Sequence, residues 1–378
     1  MRWSSILTLF LVSGCLLFPC EAQITGSKPK PTIQTPVLPV LEDGPHLFHR
    51  KDGSVTAKWV HAGKIVEKRF TAGKPIELPE FEALLGKSLK LAKHTPPAST
   101  WPMPKKLFII SDVEGEYDAM FRFLKANRVV DKNGKWAFGK GHFVCVGDMV
   151  DRGQKVTETL WMLYRLSRES LAAGGRLHYV LGNHEVMIMA GDVRYMAPKY
   201  KRVAALFGIP PRGIVGADTE IGRWMRAQNS LTRVGDYLFV HAGVSPPLAP
   251  GKVDLAGLNV AIRSVLGTPP LEIQDKTLQA IAWGTQGPLW YRGYFKEWSL
   301  SFGPTPTSDQ MDAILKNLGA KTIVIGHTKV AQVTAIYDKR RVLAIDVPWT
   351  DAKKVRGLLV QGDRIDVVDV NGKRTEFK

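Results

Sequence analysis

Five short apolar runs, each ending abruptly in polar residues, constrain this chain more than any other feature of its sequence. Leu107 to Ile110 stop at Ser111 and Asp112, Phe143 to Val146 at Gly147 and Asp148, and Tyr179 to Leu181 at Gly182 and Asn183. Tyr237 to Val240 stop at His241, and Thr322 to Ile325 stop at Gly326 and His327. Runs of this length and composition suit strands buried on both faces. Between the first two lies an amphipathic stretch, Asp118 to Asn127, with Met120, Phe121 and Leu124 on one side. Between the next two, Val156 to Ala173 repeats apolar positions at Val156, Leu160, Leu163 and Leu166, then meets Gly174 and Gly175, a C-terminal cap signal. Strands alternating with helices predict an α/β fold. Such folds bind ligands beyond the carboxyl ends of their strands, so the residues that end the runs are predicted to converge.

What converges is Asp112 and Glu114, then Asp148, Asp151 and Arg152, then Asn183, His184 and Glu185, and finally His241 and His327. Carboxylates, an amide oxygen and imidazoles at one edge make a ligand set for borderline divalent metals, with donors enough for two ions. Two ions about 3.5 to 4 Å apart can share one carboxylate and hold a hydroxide for in-line attack on phosphorus. Arg152, just past the second cluster, has the charge and the planar fork to meet phosphate oxygens.

The order Asp112-Val-Glu-Gly, Gly147-Asp-Met-Val-Asp-Arg-Gly153, Gly182-Asn-His-Glu185, Val240-His-Ala-Gly243 and Gly326-His-Thr328 resembles the calcineurin-like metallophosphoesterases, and among them the phosphoprotein phosphatase branch. Gly182 to Tyr195 and Gly287 to Gly293 are similar to the Shewanella-like bacterial protein phosphatases. One such tetrapeptide is a weak signal, but five in the family's order are a strong one. The resemblance runs from about residue 105 to 350, and Asp43-Gly-Pro45 with the hairpin after it is a further candidate part. It implies an α/β sandwich of central sheets flanked by helices, and two divalent ions, manganese first, with iron, zinc or magnesium as alternatives. It also implies hydrolysis of a phosphate monoester by a metal-bridging hydroxide, with no covalent phosphoenzyme. Carried over residue by residue, it implies Asp112 and Glu114 on the first metal, Asp148 bridging, and Asn183, His241 and His327 on the second. Arg152 and Arg292 would hold phosphate oxygens, and His184, oriented by Asp151, would protonate the leaving oxygen. The implied substrate is a phosphorylated protein or peptide, on Tyr or Ser/Thr, or a small phosphate ester, and a monomer is expected.

The chain departs from the family at Glu114, where the family has His; a carboxylate there adds negative charge and hardens the site toward Mn, Mg or Fe. That exchange keeps open a non-catalytic phospho-binding relative. The Val-His-Ala-Gly motif keeps open a dinucleoside polyphosphate hydrolase, a class whose second motif usually lacks an aspartate like Asp151. Lys329 stands where the wider superfamily often has a second His, which fits the phosphatase branch. Several residues have purely structural readings. Asp151 and Glu185 can act as loop partners, Arg292 can stack among Trp290, Tyr291 and Tyr294, Asp192 and Arg194 can pair with each other, and Asp346 is read as structural. Cys145, inside a strand, is read as core rather than as a nucleophile. His61 repeats the Val-His-Ala-Gly motif but precedes the first aspartate in a hairpin turn, so it is not expected to ligate. His46, His49, His94, His142 and His178 lack a motif context and are read as surface or core residues.

Composition bounds the remainder. Lys plus Arg number 52 against 35 Asp plus Glu, a net charge of +17, which favours anionic partners without choosing among phosphorylated substrates, nucleic acid and acidic membrane. No recognised nucleic-acid motif interleaves the basic residues, so nucleic acid is not an expected partner. Residues 1–22, with Arg2, the apolar stretch Ile6 to Phe18 and Cys20-Glu-Ala22, read as an export signal cut before Gln23. The expected location is therefore periplasmic or secreted, and Val12-Ser-Gly-Cys15 offers a lipoprotein alternative that would tether Cys15 to a membrane. Without Cys15 and Cys20 only Cys145 remains, so no intramolecular disulfide is expected. Residues 23–45, with Pro29, Pro31, Pro36, Pro39 and Pro45, read as an extended tether. Residues 46–104 read as a small β-rich element and linker: Val55 to Val60 and Ile65 to Phe70 flank a turn at His61 to Lys64, and prolines recur from Pro96 to Pro104. The main domain is expected over 105–378, with a helical insertion at 186–230 that Thr219 can cap, and a closing β meander after His327.

Overall fold

In chain order the strands of the computed structural model are β1 (Asp43–His49), β2 (Val55–His61), β3 (Lys64–Phe70), β4 (Thr100–Trp101), β5 (Leu107–Ile110), β6 (His142–Val146), β7 (Arg176–Val180) and β8 (Leu231–Val234). They continue with β9 (Tyr237–Val240), β10 (Thr322–Ile325), β11 (Thr334–Ile336), β12 (Val342–Ala344), β13 (Arg356–Gln361), β14 (Arg364–Asp369) and β15 (Arg374–Glu376). The structure describes residues 40–378 apart from Pro304, so the expected export signal and residues 23–39 of the tether lie outside the described residues. Two six-stranded sheets, ordered β15-β14-β13-β5-β6-β7 and β11-β12-β10-β9-β8-β4, face each other across a shared core. This is the α/β sandwich that the motif order implied.

The five runs fall on β5, β6, β7, β9 and β10, and their continuous apolarity has a physical cause. Leu107 and Ile109 point into the core between the sheets, while Phe108 and Ile110 face the helices outside. Phe239 and Val324 point between the sheets, with Leu238, Val240, Ile323 and Ile325 on the outer side. Both faces exclude water, so every position is apolar. β5, β6 and β7 are parallel, as are β9, β10 and β12, so their carboxyl ends gather at one edge.

The helices that matter for that edge are α1 (Tyr117–Ala126), α2 (Val156–Ala172), α3 (Asn183–Ala190), α4 (Pro198–Phe207) and α5 (Glu220–Ala227). The first two match the apolar periodicities. The last three make up the helical insertion, and the Thr219 hydroxyl caps α5 by accepting the Gly222 N–H at 3.0 Å.

β1, β2 and β3 form a separate antiparallel sheet. Here the tether boundary at residue 45 needs correcting, because Asp43 to Pro45 belong to β1. Pro45 lacks an N–H, but it sits where the β1–β2 register is irregular, between Asp43 and His46. Its carbonyl accepts the Trp161 indole N–H from α2 at 2.8 Å. Val40 to Lys378 form one compact unit, so residue 105 marks a change of sequence pattern rather than an independently packed domain.

Candidate active site

The loops leaving β5, β6, β7, β9 and β10 are stitched together by backbone hydrogen bonds. The Asp112 N–H donates to the Gly147 carbonyl at 3.1 Å, the Gly326 N–H to the His241 carbonyl at 2.8 Å, and the Glu114 N–H to the Asp148 carbonyl at 2.9 Å. Glycines are required here because side chains crowd the backbone: a Cβ on Gly182 would collide with the Asp148 carboxylate, and one on Gly326 with that of Asp112. The same crowding strains the residues gathered at this edge. Asp112, Glu114, Asp148, Asp151, Arg152 and His327 all have φ between 50 and 70°. For non-glycine residues this costs on the order of 1 to 3 kcal/mol each and persists only where the surroundings over-determine it.

Two ligand groups result. Asp148, His241 and His327 bring donor atoms within 4.8 Å of one another, and so do Asp112, Glu114 and Asp148. Asp148 is common to both. Asn183 joins the first group, its Oδ1 lying 2.9 Å from His241 Nε2. His241 is oriented by its Nδ1 against the Val146 carbonyl at 2.9 Å, which directs Nε2 inward. The Asp148 backbone is fixed by Glu185, whose fully buried carboxylate accepts from the N–H groups of Asp148, Met149 and Gly182 and from the Tyr179 hydroxyl. Glu185 is thus a loop anchor behind the site.

Burial would raise the Asp148 pKa, but His241 and His184 beside it hold the carboxyl below its ordinary value, hence ionised. Burial, then Asp346 and Asp148, push Asp112 well up. Burial, then His241 and Arg292, press His327 well down, toward neutral imidazole. A crowd of buried carboxylates beside a neutral imidazole is what a cation relieves, so these donors fit divalent ions.

Beside them, His184 Nδ1 lies 2.8 Å from Asp151 Oδ2, while the His184 N–H donates to Asp148 Oδ1 at 3.0 Å. Burial lowers the His184 pKa, yet Asp148 and Asp151 outweigh it and the net shift is upward. Arg152 contacts the Glu114 carboxylate and lies 5.1 Å from the Tyr195 ring centre. Arg292 donates to Thr328 Oγ1 at 3.2 Å and sits 5.2 Å from the Trp298 ring centre. Arg152, Arg292, His184, Tyr195, Trp290 and Trp298 line one open cleft above the ligand groups.

Residues 105–331 match the calcineurin-like phosphoesterase family. The chain belongs to it. Among solved structures, the cold-active protein-tyrosine phosphatase of a psychrophilic Shewanella is 31% identical, with a TM-score of 0.80 over 89% of this chain and 99% of that one. Among curated proteins, Shewanella-like protein phosphatase 2 of Arabidopsis thaliana is 35% identical over 96 residues, a quarter of each protein. Shewanella-like protein phosphatase 1 of Plasmodium berghei is 22% identical over 59% of this chain and 61% of its own length. The chain therefore spans a quarter and about three fifths of these curated relatives. Membership makes it a phosphoesterase, and its donor set fits divalent metals.

For this phosphoesterase the structure brings together Asp112, Glu114, Asp148, Asn183, His241 and His327, with His184, Asp151, Arg152 and Arg292 around them. His61 is elsewhere, its side chain 72% exposed at the end of β2 beside Glu42. Cys145 is buried, and burial pushes its thiol well up, away from the reactive thiolate. Asp192 and Arg194 pair with each other at the cleft rim. Two residues carry more than their sequence reading. Lys329 lies 3.8 Å from Glu114, a second cation beside the unusual carboxylate. Asp346, read as structural, is buried just past β12, one oxygen lacks a hydrogen-bond partner, and its charge acts on Asp112. The signal for it was present, an aspartate closing the apolar run Leu343 to Ile345 as Asp112 closes Leu107 to Ile110.

Proposed function

We propose that this chain is a phosphomonoesterase acting on phosphorylated protein or peptide, with an aryl phosphate such as phosphotyrosine as its preferred ester. The observation that carries this is the placement of two ligand groups sharing Asp148 directly below a cleft lined by Arg152, Arg292 and His184, with the buried Asp151 holding the His184 ring from behind. Two divalent ions, manganese first among them because Glu114 hardens the site, would supply Lewis acidity and lower the pKa of a water ligand. Asp112, Glu114 and Asp148 would hold one, and Asp148, Asn183, His241 and His327 the other.

The chain's own residues do the rest. Arg152 and Arg292 bind and orient the phosphoryl oxygens. Asp151 accepts the Nδ1 proton of His184, which leaves Nε2 to donate to the departing oxygen, and the upward shift that Asp148 and Asp151 give His184 favours the protonated ring. Tyr195, Trp290 and Trp298 give the cleft aromatic walls suited to a phenyl ring, in keeping with the tyrosine phosphatase named in the Shewanella neighbour. Manganese-loaded protein should release phosphate faster from a phosphotyrosine peptide than from its phosphoserine counterpart. No release from either peptide or from p-nitrophenyl phosphate would refute the proposal.

A second reading has its own support. The symmetrical bis(5'-nucleosyl)-tetraphosphatase of Vibrio campbellii is 28% identical over 141 residues. Faster turnover of a dinucleoside tetraphosphate than of the phosphotyrosine peptide would favour that reading. We also propose export through residues 1–22, supported by the charged start and the apolar run; intact mass after expression in a bacterial envelope reads cleavage before Gln23 or lipidation at Cys15.

A further inference from the structure

The family match begins at residue 105, yet the loop carrying Asp151 and Arg152 is held from outside that range as well. Asp151 and Arg152 have φ of 70° and 55°. Backbone in that region relaxes unless its neighbours over-determine it.

Besides its bonds to the Glu114–Gly115 turn and to His184, the loop is restrained by α4 and the residues just ahead of it. The Arg152 N–H donates to the Tyr195 carbonyl at 3.0 Å, just ahead of α4. Two residues on, the Gln154 carbonyl accepts from Lys199 Nζ at 2.8 Å and from the Tyr200 hydroxyl at 3.0 Å. The same hydroxyl oxygen accepts from the N–H groups of Val156 at 2.6 Å and Thr157 at 3.2 Å, at the start of α2. The residue before α2, Lys155, provides no side-chain cap, so Tyr200 supplies the cap from a different element.

Lys199 is fixed in turn. Its Nζ lies 2.9 Å from Asp43 Oδ1 on β1, and the other Asp43 oxygen meets His46 Nε2 at 2.6 Å and the Thr157 hydroxyl at 3.2 Å. The Asp43 carboxylate is 0% exposed. Burial would raise its pKa, but His46 and Lys199 bring it below the ordinary value, so it is an ionised group in the interior. A buried ion pair contributes little net stability compared with apolar packing, and its better-attested use is to fix one arrangement among several. Here the arrangement it fixes is that of the loop holding the phosphate-side arginine.

We infer that Asp43, Lys199 and Tyr200 are positioning residues: β1 and α4 set the placement of Arg152 through the chain Asp43–Lys199–Gln154 and through the Tyr200 cap. The inference rests on Arg152 contacting phosphate, as proposed above. The test uses full-length, manganese-loaded protein and three variants, Asp43→Asn, Lys199→Met and Tyr200→Phe. The measurements are kcat/KM on p-nitrophenyl phosphate, phosphate affinity by calorimetry and melting temperature. Each variant is expected to lose roughly ten- to a hundredfold in kcat/KM and to weaken phosphate binding in step. In an Arg152→Ala background, Lys199→Met is expected to add less than about twofold, because it acts through the missing guanidinium. Should Asp43→Asn or Lys199→Met fail to fold, Tyr200→Phe, which removes one oxygen, decides alone. Variants that melt lower but keep kcat/KM and phosphate affinity within about twofold, or losses that multiply fully in the Arg152→Ala background, overturn the inference. If the wild type binds phosphate without turnover, the functional reading fails while phosphate affinity still decides this one; a wild type that binds no phosphate overturns both.

Discussion

At the scale of single residues, the site divides its charges between anions that hold cations and cations that hold anions. Asp148 belongs to both ligand groups, so Asp148→Asn removes a charge from each; it should reduce turnover by at least about a thousandfold while the melting temperature in chelator changes little. His184 has a different duty, and its loss should depend on the leaving group. His184→Asn should lower kcat by about 10² to 10⁴ for phosphoserine peptide, whose alkoxide needs a proton, and by much less for p-nitrophenyl phosphate. The sign of the pH dependence follows from the shift. His184 must be protonated to donate and its pKa is raised, so kcat for the peptide should fall as pH rises and the ring loses its proton, with a midpoint above that of an ordinary imidazole. Glu114 stands where the motif resemblance implies a His. With Arg152 in contact and Lys329 at 3.8 Å, its carboxylate charge is balanced on the phosphate side of the cleft. Glu114→His should shift metal preference from manganese or magnesium toward zinc, read as metal content after dialysis against an equimolar mixture.

At the scale of elements, a buried carboxylate ties three pieces of chain together. Glu220 at the start of α5 accepts from His49 of β1 at 2.6 Å, from His94 in the segment before β4 at 2.8 Å, and from the Tyr164 hydroxyl of α2 at 2.7 Å. Burial alone would raise its pKa, but these bonds bring it down to about 2 from 4.5. A depressed carboxyl stabilises above its unfolded pKa, and that stability fades as pH falls from about 4.5 toward 2; the full shift corresponds to about 3 kcal/mol. Denaturant midpoints between those pH values should decline in the wild type and flatten in Glu220→Gln. The contrast with the strands shows what the sequence made legible. β5, β6, β9 and β10 announced themselves because burial on both faces forces unbroken apolar runs, and the ligands followed because each closes such a run. β1 did not, because Gly44 and Pro45 carry turn chemistry and its value lies in long-range contacts of Asp43, His46 and His49. Lys199 and Tyr200 were silent for the same reason: a lysine and a tyrosine on an amphipathic helix look like a solvated face until the fold places Gln154 and Asp43 beside them.

At the scale of the whole molecule, the sandwich lets distant chain segments share one edge. Asp112 and His327 are far apart in sequence, yet the His327 N–H donates to an Asp112 carboxylate oxygen at 3.1 Å, joining the two sheets where the ligands gather. A chain of net charge +17 carries a diffuse field that attracts anions to the molecule. Raising ionic strength from about 0.02 to 0.5 M should therefore lower kcat/KM several-fold for an acidic phosphopeptide, with a smaller effect on p-nitrophenyl phosphate. The central claim is that the shared-aspartate ligand groups and the cleft above them hydrolyse phosphomonoesters. It is tested most directly by phosphate release from a phosphotyrosine peptide by metal-stripped protein, before and after manganese is restored, beside Asp148→Asn. The account predicts no release without metal, rapid release with it, and loss of that activation in the variant; equal release in all three, or none after manganese is restored to the wild type, would contradict it.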